Sequence, residues 1–362
     1  MAPSTISMPL ALVIGSFAML FVYLGLDWLP SSAPVESVPA TFRAYEYSSY
    51  GEPIEQLKLV SGLPMPKLFK THVRVKVVSA ALNPVDYKLV QSGFNFFPVG
   101  PSEDAPFRIG FDAAGKVVEV GAHVTDIKVG DLVYVMTPFS GFGTIAQYVS
   151  VDAKFVAPKP QNLNFDHAAS VPLAGLTSYQ SLVTHGKIQK GSRVLILGGS
   201  GGTGTFAVQI AKALGAYVIT TTSFRNAEFV KSLGADQVID YTKEKWVDVI
   251  DPNSIDVLYD CGMEPGAWND DAQKVLKKNT GHFVTILNIP EPVLESPISA
   301  QKTRVVVQPS ATDLKKLTEL IEDGKIVTTI DTVYPFGNLH AAITKLMSNR
   351  TRGKIIMHVG KE

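Results

Sequence analysis

Gly199, Gly201 and Gly204 stand at G-x-G-x-x-G spacing within the run Gly198-Gly199-Ser200-Gly201-Gly202-Thr203-Gly204. Side chains without a Cβ let a turn close here and let backbone N–H groups, those of Ser200, Gly202 and Thr203 among them, reach a pyrophosphate. A short apolar run from Arg193 to Leu197 precedes the turn. After it Phe206, Ile210 and Leu214 recur every four residues beside Ala207 and Ala211, and Gly215 follows as a helix stop. Ala216 to Thr222 then reads as a second strand rich in β-branched residues. These stretches make one βαβ unit whose helix start would face an anion. The expected ligand is a dinucleotide; the alternative is a tight βα turn in an unrelated α/β domain.

The end of the second strand refines that expectation. An NAD site places an Asp or Glu about twenty residues past the first glycine, on the ribose 2′-OH. Here the residues are Thr221, Thr222, Ser223, Phe224 and Arg225. A carboxylate would repel a 2′-phosphate, whereas hydroxyls and a guanidinium accept it, so Ser223 and Arg225 point to NADPH over NADH. The competing reading of Arg225 is a solvated loop cation.

The elements that must position this loop are drawn from a chain of 362 residues, 46% of them hydrophobic, with the glycine turn in the second half. That length supports two domains. Lys plus Arg and Asp plus Glu balance at 33 each, so no global field recruits nucleic acid or another polyanion. The single cysteine, Cys261, excludes an internal disulfide and any multi-cysteine metal site, in keeping with a reducing compartment.

Met8 to Leu26 is an uncharged, mostly apolar run of 19 residues, long enough to cross a bilayer's hydrocarbon core. No Lys or Arg precedes it and its apolar core is longer than a signal peptide's, so a transmembrane anchor is preferred to a signal peptide or a buried helix. The first basic residue, Arg43, follows the run, which places the later domains in the cytosol of a single-pass protein. Residues 1–40 are thus read as anchor and Pro/Ser-rich linker. From residue 41 to 166, short runs such as Val73 to Val78 and Gly115 to Gly121 alternate apolar and polar residues between Gly, Pro and Asp, the pattern of half-buried strands. From 167 to 311, apolar strands near Gln237–Tyr241, Ile255–Asp260 and His282–Ile286 alternate with helices, as a parallel sheet requires. Asn226 is positioned to cap the helix that carries Phe229, Val230 and Leu233. Residues 312–362, a helix over Thr312–Asp323 and a final strand over Lys354–Val359, would return to the first domain.

From Thr41 to Val359 the sequence resembles the zinc-free quinone oxidoreductase branch of the medium-chain dehydrogenase/reductase superfamily, its fungal members in particular. The resemblance rests on Asn83-Pro84-Val85-Asp86, Ile109 to Gly115 with Gly130-Asp131, Ala174-Gly175-Leu176-Thr177, the glycine turn, Leu233 to Asp236 with Ile239-Asp240-Tyr241, and Gly353-Lys354-Ile355. It implies a GroES-like β domain plus a doubly wound Rossmann sheet. It also implies hydride transfer from NADPH to a quinone or an α,β-unsaturated carbonyl. Zinc-dependent relatives carry a catalytic Cys in the early loop and Gly-His-Glu after it; here Asn83 and Gly110-Phe111-Asp112 stand there, and the histidines are scattered. No metal is expected.

The resemblance further assigns roles. Many relatives place a tyrosine two residues after the Asp of Asn-Pro-Val-Asp; here that residue is Lys88, with Tyr87 before it. Lys88 is expected to stabilise the oxyanion or hold the coenzyme, or else to form an ion pair with Asp86. Asn83 would orient the nicotinamide or bind the acceptor, or else be a residue fixed in extended backbone before Pro84. Tyr87 is either the proton donor or core packing. By similarity Tyr241 would flank the adenosine phosphate and Thr177 the nicotinamide side. Cys261 reads as a buried inert thiol. The aromatic stretch Gly93 to Pro98 lines a pocket for a lipophilic acceptor or is core under a hairpin. Relatives commonly pair through edge strands of the Rossmann sheet, so a homodimer is implied. A second reading of a different class is a membrane-tethered scaffold or trafficking protein that keeps the fold and coenzyme with little turnover.

Overall fold

The computed structural model describes residues 37–93, 99–139, 143–262, 264, 266–289 and 291–360. The apolar run over 8–26 and the stretch Phe94–Pro98 lie outside these residues. From Pro39 onward the chain forms one compact unit.

Its first half supplies β1 (Thr41–Tyr47), β2 (Lys58–Pro64), β3 (His72–Leu82), β4 (Phe107–Arg108), β5 (Asp112–Val120), β6 (Leu132–Met136), β7 (Tyr148–Asp152) and β8 (Val156–Pro158). The strands β2-β1-β4 make a small sheet. The seam of the larger one is β3. On one edge it pairs with β5; on the other, β7 covers residues 72–76 and the last strand of the chain covers 79–82. Alternation in Val73–Val78 predicts one wet face, yet Arg74 is buried. The reason is local: its guanidinium is held by Glu119 on β5 and by the Pro66 carbonyl. Pro84 fixes the first turn of the helix Pro84–Ser92 that leaves β3, and Gly93, at φ 65°, ends it.

The second half holds β9 (Arg193–Leu197), β10 (Tyr217–Thr222), β11 (Gln237–Asp240), β12 (Val257–Asp260), β13 (His282–Thr285) and β14 (Gln301–Arg304), all parallel in the order β11-β10-β9-β12-β13-β14. The order reverses between β9 and β12, and ligands of open α/β sheets sit at the carboxyl ends of the strands at such a switch point. The helix Gly202–Ala213 connects β9 to β10; Phe206, Ala207, Ile210 and Ala211 are buried as their spacing predicts, but so are Thr205, Val208 and Gln209 on the other faces, and Leu214, expected in the stripe, is only half-buried. The chain then returns through the helix Ala311–Glu322, β15 (Ile330–Pro335), the helix Leu339–Met347 and β16 (Lys354–His358), which completes the order β15-β16-β3-β5-β6-β8. This is a GroES-like β fold joined to a Rossmann-type sheet.

The expected single-pass protein, with a transmembrane helix and domains facing the cytosol, is corrected. Among the described residues no helix is long and apolar enough to cross a membrane. The helices Gly202–Ala213 and Ala311–Glu322 have 12 residues each, about 18 Å at 1.5 Å per residue, against a hydrocarbon core of about 30 Å.

Candidate active site

The glycine turn leaves β9 at the switch point and is shaped by close approaches on every side but one. A methyl on Gly199 would enter the Thr220 side chain, and one on Gly204 would meet the Gly198 carbonyl and lie 2.8 Å from Gly199 Cα. At Gly201, by contrast, an added methyl meets only the Gly198 oxygen, at 3.5 Å. The turn is therefore tight on its protein side and open on its outer side. The N–H groups of Gly202, Thr203 and Gly204 begin the helix and have no intrahelical acceptor, as at any helix start. An open glycine beside helix-start amides is a cradle that fits a pyrophosphate.

Ser200, at the tip, is held in place. Its hydroxyl accepts from Thr222 Oγ1 at 2.9 Å and from Asn226 Nδ2 at 3.2 Å. Asn226 does occupy the N-cap position of the helix Ala227–Ser232, but its side chain serves Ser200 and makes no cap. Ser223, just past β10, is half-buried and Arg225 is exposed, without an ion-pair partner among the described residues. No carboxylate lies between Thr222 and Asn226. The nearest one in register is Asp240, opposite Thr222, and it is engaged by the Thr242 N–H and hydroxyl and by Lys243. Tyr241 is 58% exposed and its N–H bonds the Thr222 carbonyl, which puts its ring at the same edge. Thr177 lies on the helix Pro172–Tyr179, buried, with its hydroxyl on Leu173 O. The next residue, Ser178, donates to Thr203 O at 2.8 Å and so joins that helix to the glycine turn.

In the β-rich half, the residues expected to act on the acceptor separate into three environments. Tyr87 is buried with Leu82, Val90 and Ile109, and burial raises its hydroxyl pKa. It packs as a core side chain. Lys88 is half-buried, has neither hydrogen bond nor ion pair among the described residues, and has its amine pKa lowered by desolvation. The ion pair with Asp86 is absent, because Asp86 is fully buried and faces inward, accepting from Asn83 N at 2.6 Å and Gly110 N at 2.9 Å. Burial, with the nearby Asp112 charge, pushes the Asp86 carboxyl up to about 7 even though both N–H bonds and Lys354 oppose it.

Asn83 is 3% exposed and tied at both ends of its amide. Its Nδ2 donates to Asp112 Oδ2 at 2.9 Å, and its Oδ1 accepts from Lys354 Nζ. Lys354 Nζ also reaches Leu82 O at 2.9 Å and Asp112 Oδ2 at 3.3 Å. Asp112 Oδ1 takes the N–H of Leu173, at the start of the helix Pro172–Tyr179. Sequence reading did not assign Asp112, Lys354, Thr222 or Asn226 to the site. A signal existed for the first two: a charge inside an apolar strand run must find a buried partner. Cys261, half-buried, follows β12, its thiol on Leu197 O at 3.1 Å, and desolvation raises its pKa, as for an inert thiol. Among the described residues no group of three His, Cys, Asp or Glu side chains is placed to hold a metal.

Comparison with known proteins follows the two halves of the fold. The family described as "Alcohol dehydrogenase GroES-like domain" matches residues 70–161, and the family "Zinc-binding dehydrogenase" matches 233–357. The chain is 36% identical over 334 residues to the tomato (Solanum lycopersicum) "2-methylene-furan-3-one reductase", covering 89% of this chain and 80% of that one. It is 36% identical over 335 residues to the "NADPH-dependent alkenal/one oxidoreductase, chloroplastic" of Arabidopsis thaliana, covering 89% and 81%. The solved quinone oxidoreductase from Coxiella burnetii superposes with a TM-score of 0.77 at 30% identity, over 88% of this chain and 100% of that one. With the glycine turn, the paired folds and these relatives in agreement, the chain belongs to the quinone and alkenal oxidoreductase family of the medium-chain dehydrogenase/reductase superfamily and is an oxidoreductase.

Proposed function

We propose that this chain uses NADPH, without zinc, to reduce a quinone or an α,β-unsaturated carbonyl. The observation that carries the reading is the cluster at the carboxyl ends of β9, β10 and β11. There an open glycine cradle is flanked by the hydroxyls of Ser200, Thr222 and Ser223 and the exposed guanidinium of Arg225; no carboxylate lies from Thr222 to Asn226, and Asp240, opposite Thr222 on β11, is engaged by the Thr242 N–H and hydroxyl and by Lys243. A relative at 36% identity carries NADPH and alkenal/one in its name, in support.

NADPH bound in the cradle supplies a hydride; orientation and charge placement fall to the protein. Gly202, Thr203 and Gly204 would bind its pyrophosphate, and Ser223, Arg225 and Tyr241 its adenosine end. Asn83 and Phe111 occupy the places where zinc-dependent relatives have metal ligands, and neither an amide nor a phenyl ring suits zinc. The acceptor must then bring its own activation, which conjugation to a carbonyl supplies. As electron density moves onto the acceptor's oxygen, a donor has to meet it. Lys88 fits that role: its half-buried ammonium has no carboxylate partner among the described residues, and a lowered pKa eases release of a proton. Tyr87, in the core, does not. Asn83 acts behind Lys88, fixing the extended residue from which its helix starts.

The test is titration of the purified chain with NADPH and NADH by fluorescence, followed by coenzyme oxidation with a short enone and with 9,10-phenanthrenequinone. Tight NADPH binding, weaker NADH binding and saturable turnover are expected. NADPH binding with no turnover on either acceptor would favour the scaffold reading, and equal affinity for the two coenzymes would remove the role given to Arg225.

A further inference from the structure

Lys354 is 3% exposed, and no stability argument explains why an ammonium should be there. Its strand is secured by Ile355–His358, which pair with β3, and an apolar side chain would fill the same space without desolvation. Buried ion pairs contribute little net stability relative to apolar residues of similar volume, although removing one partner alone is costly. The position it specifies is more telling. Gly353, immediately before it, donates its N–H to Ser200 O at 3.2 Å and bridges Gly201. A methyl on Gly202 would lie 3.1 Å from Lys354 Cδ, so the lysine stem runs directly beneath the start of the coenzyme helix. The far end of the same side chain holds Asn83 Oδ1 and Asp112 Oδ2.

Asp112 closes the loop from the other direction. Its second oxygen holds Leu173 N at 2.6 Å, and the helix that begins there returns to the glycine turn through Ser178 and Thr203. Two chains of contacts therefore run from Asp112 to the glycine turn, one through Lys354 and Gly353, the other through Leu173 and Ser178. Asn83, in the same cluster, is the residue from which the helix bearing Lys88 departs.

We propose that Lys354 is a positioning residue that sets the separation between the coenzyme turn and the helix carrying Lys88, through its contacts with Asn83 and Asp112. This rests on the reductase reading above. Misplacement by about 1 Å can cost about a hundred-fold in rate even when the mutated group is far from the chemistry, so the role is measurable.

The experiment compares the full chain with Lys354→Met and Asp112→Asn, the second keeping side-chain volume and an acceptor for Leu173. Two readouts are taken: steady-state kinetics with NADPH and an enone, and amide hydrogen exchange of the coenzyme-free protein. In both variants kcat should fall about ten- to a hundred-fold, with a smaller change in KM for NADPH. Exchange should rise together in residues 198–213 and 83–92, while β10 and β12 keep their protection. Should Lys354→Met not fold, Asp112→Asn carries both readouts. Unchanged kcat, or faster exchange confined to β16, would overturn the proposal and leave Lys354 a structural residue of its strand. Failure of the wild-type chain to bind NADPH would sink the reductase reading instead, and the exchange measurement on free protein would still report whether the two segments are coupled.

Discussion

At the scale of single residues, Lys88 and Asp86 lie two positions apart on one helix, and burial moves both toward their neutral forms. For Lys88 that means a pKa below the ordinary lysine range, so its cationic form is lost at a lower pH than that of a solvated lysine. If the ammonium meets the developing oxyanion, kcat/KM must fall along an alkaline limb placed below that range. Replacement by Met should remove the limb and lower kcat about a hundred- to a thousand-fold, the usual cost of losing one such donor, with NADPH affinity unchanged. A pH–rate profile of both proteins checks this, and a limb that survives in Lys88→Met would reassign it. Asp86 makes a prediction about stability. Its folded pKa of about 7 exceeds the ordinary 3.8, so between those values the folded chain holds a proton that the unfolded chain has released. The stabilisation is complete below the lower value and is lost as pH rises through the upper one. Asp86→Asn keeps one acceptor and turns an NH2 toward the second N–H, so it should cost about 1–3 kcal/mol. It should also flatten the decline of stability between about pH 4 and about pH 7. Urea unfolding at the two pH values measures the slope, and an identical slope in both proteins would show that Asp86 does not produce it.

At the scale of elements, the βαβ unit was legible because everything that defines it is local. Glycine spacing, a four-residue apolar stripe and β-branched runs all lie within thirty residues, and the helix Gly202–Ala213 and strands β9 and β10 follow them. That unit makes a sharp test. Gly204→Ala puts a methyl against the Gly198 carbonyl and 2.8 Å from Gly199 Cα, which must open the turn. NADPH affinity should fall at least tenfold, about 1.4 kcal/mol, by fluorescence titration. Gly337→Ala, where an added methyl meets nothing within 4 Å, is the matched control and should bind as wild type does. What the sequence hid was pairing at a distance. Asn226 carries the signature of a helix cap, and no local rule says that its amide will instead reach back 26 residues to Ser200. Lys354 finds its partners 271 and 242 residues earlier, at Asn83 and Asp112. Their types announced that partners were needed; only the topology, with β16 laid on β3 beside β7, said which. Lys88 is the converse case. An ion pair with Asp86 was the alternative, but side chains two positions apart on a helix do not face each other; Asp86 faces inward to two N–H groups and Lys88 has no partner among the described residues.

At the scale of the whole molecule, each fold keeps an apolar cluster of its own and the two share a third, larger one. The largest apolar cluster takes Val78, Phe111 and Tyr134 from the β-rich half, Leu173, Ile196 and Phe206 from the coenzyme half, and Leu314 and Leu317 from the returning helix. Polar links cross the same boundary: Gln209 exchanges two hydrogen bonds with the backbone of Val327, and Tyr134 donates to Leu314 O. Opening one half would expose apolar surface on the other, so the halves should lose structure together, in a single calorimetric transition. A ligand that binds one half only through its folded form must then stabilise both. NADPH at about one hundred times its Kd should add about 2.7 kcal/mol, on the order of 5 °C for a chain of this size. NADH at the same concentration should add less, since Ser223 and Arg225 would have no 2′-phosphate to hold. Balanced charge, 33 of each sign, means that this preference has to come from those side chains and not from a net field. Scanning calorimetry with each coenzyme decides the matter: two transitions, only one of them moved by NADPH, would mean that the shared core does not couple the halves.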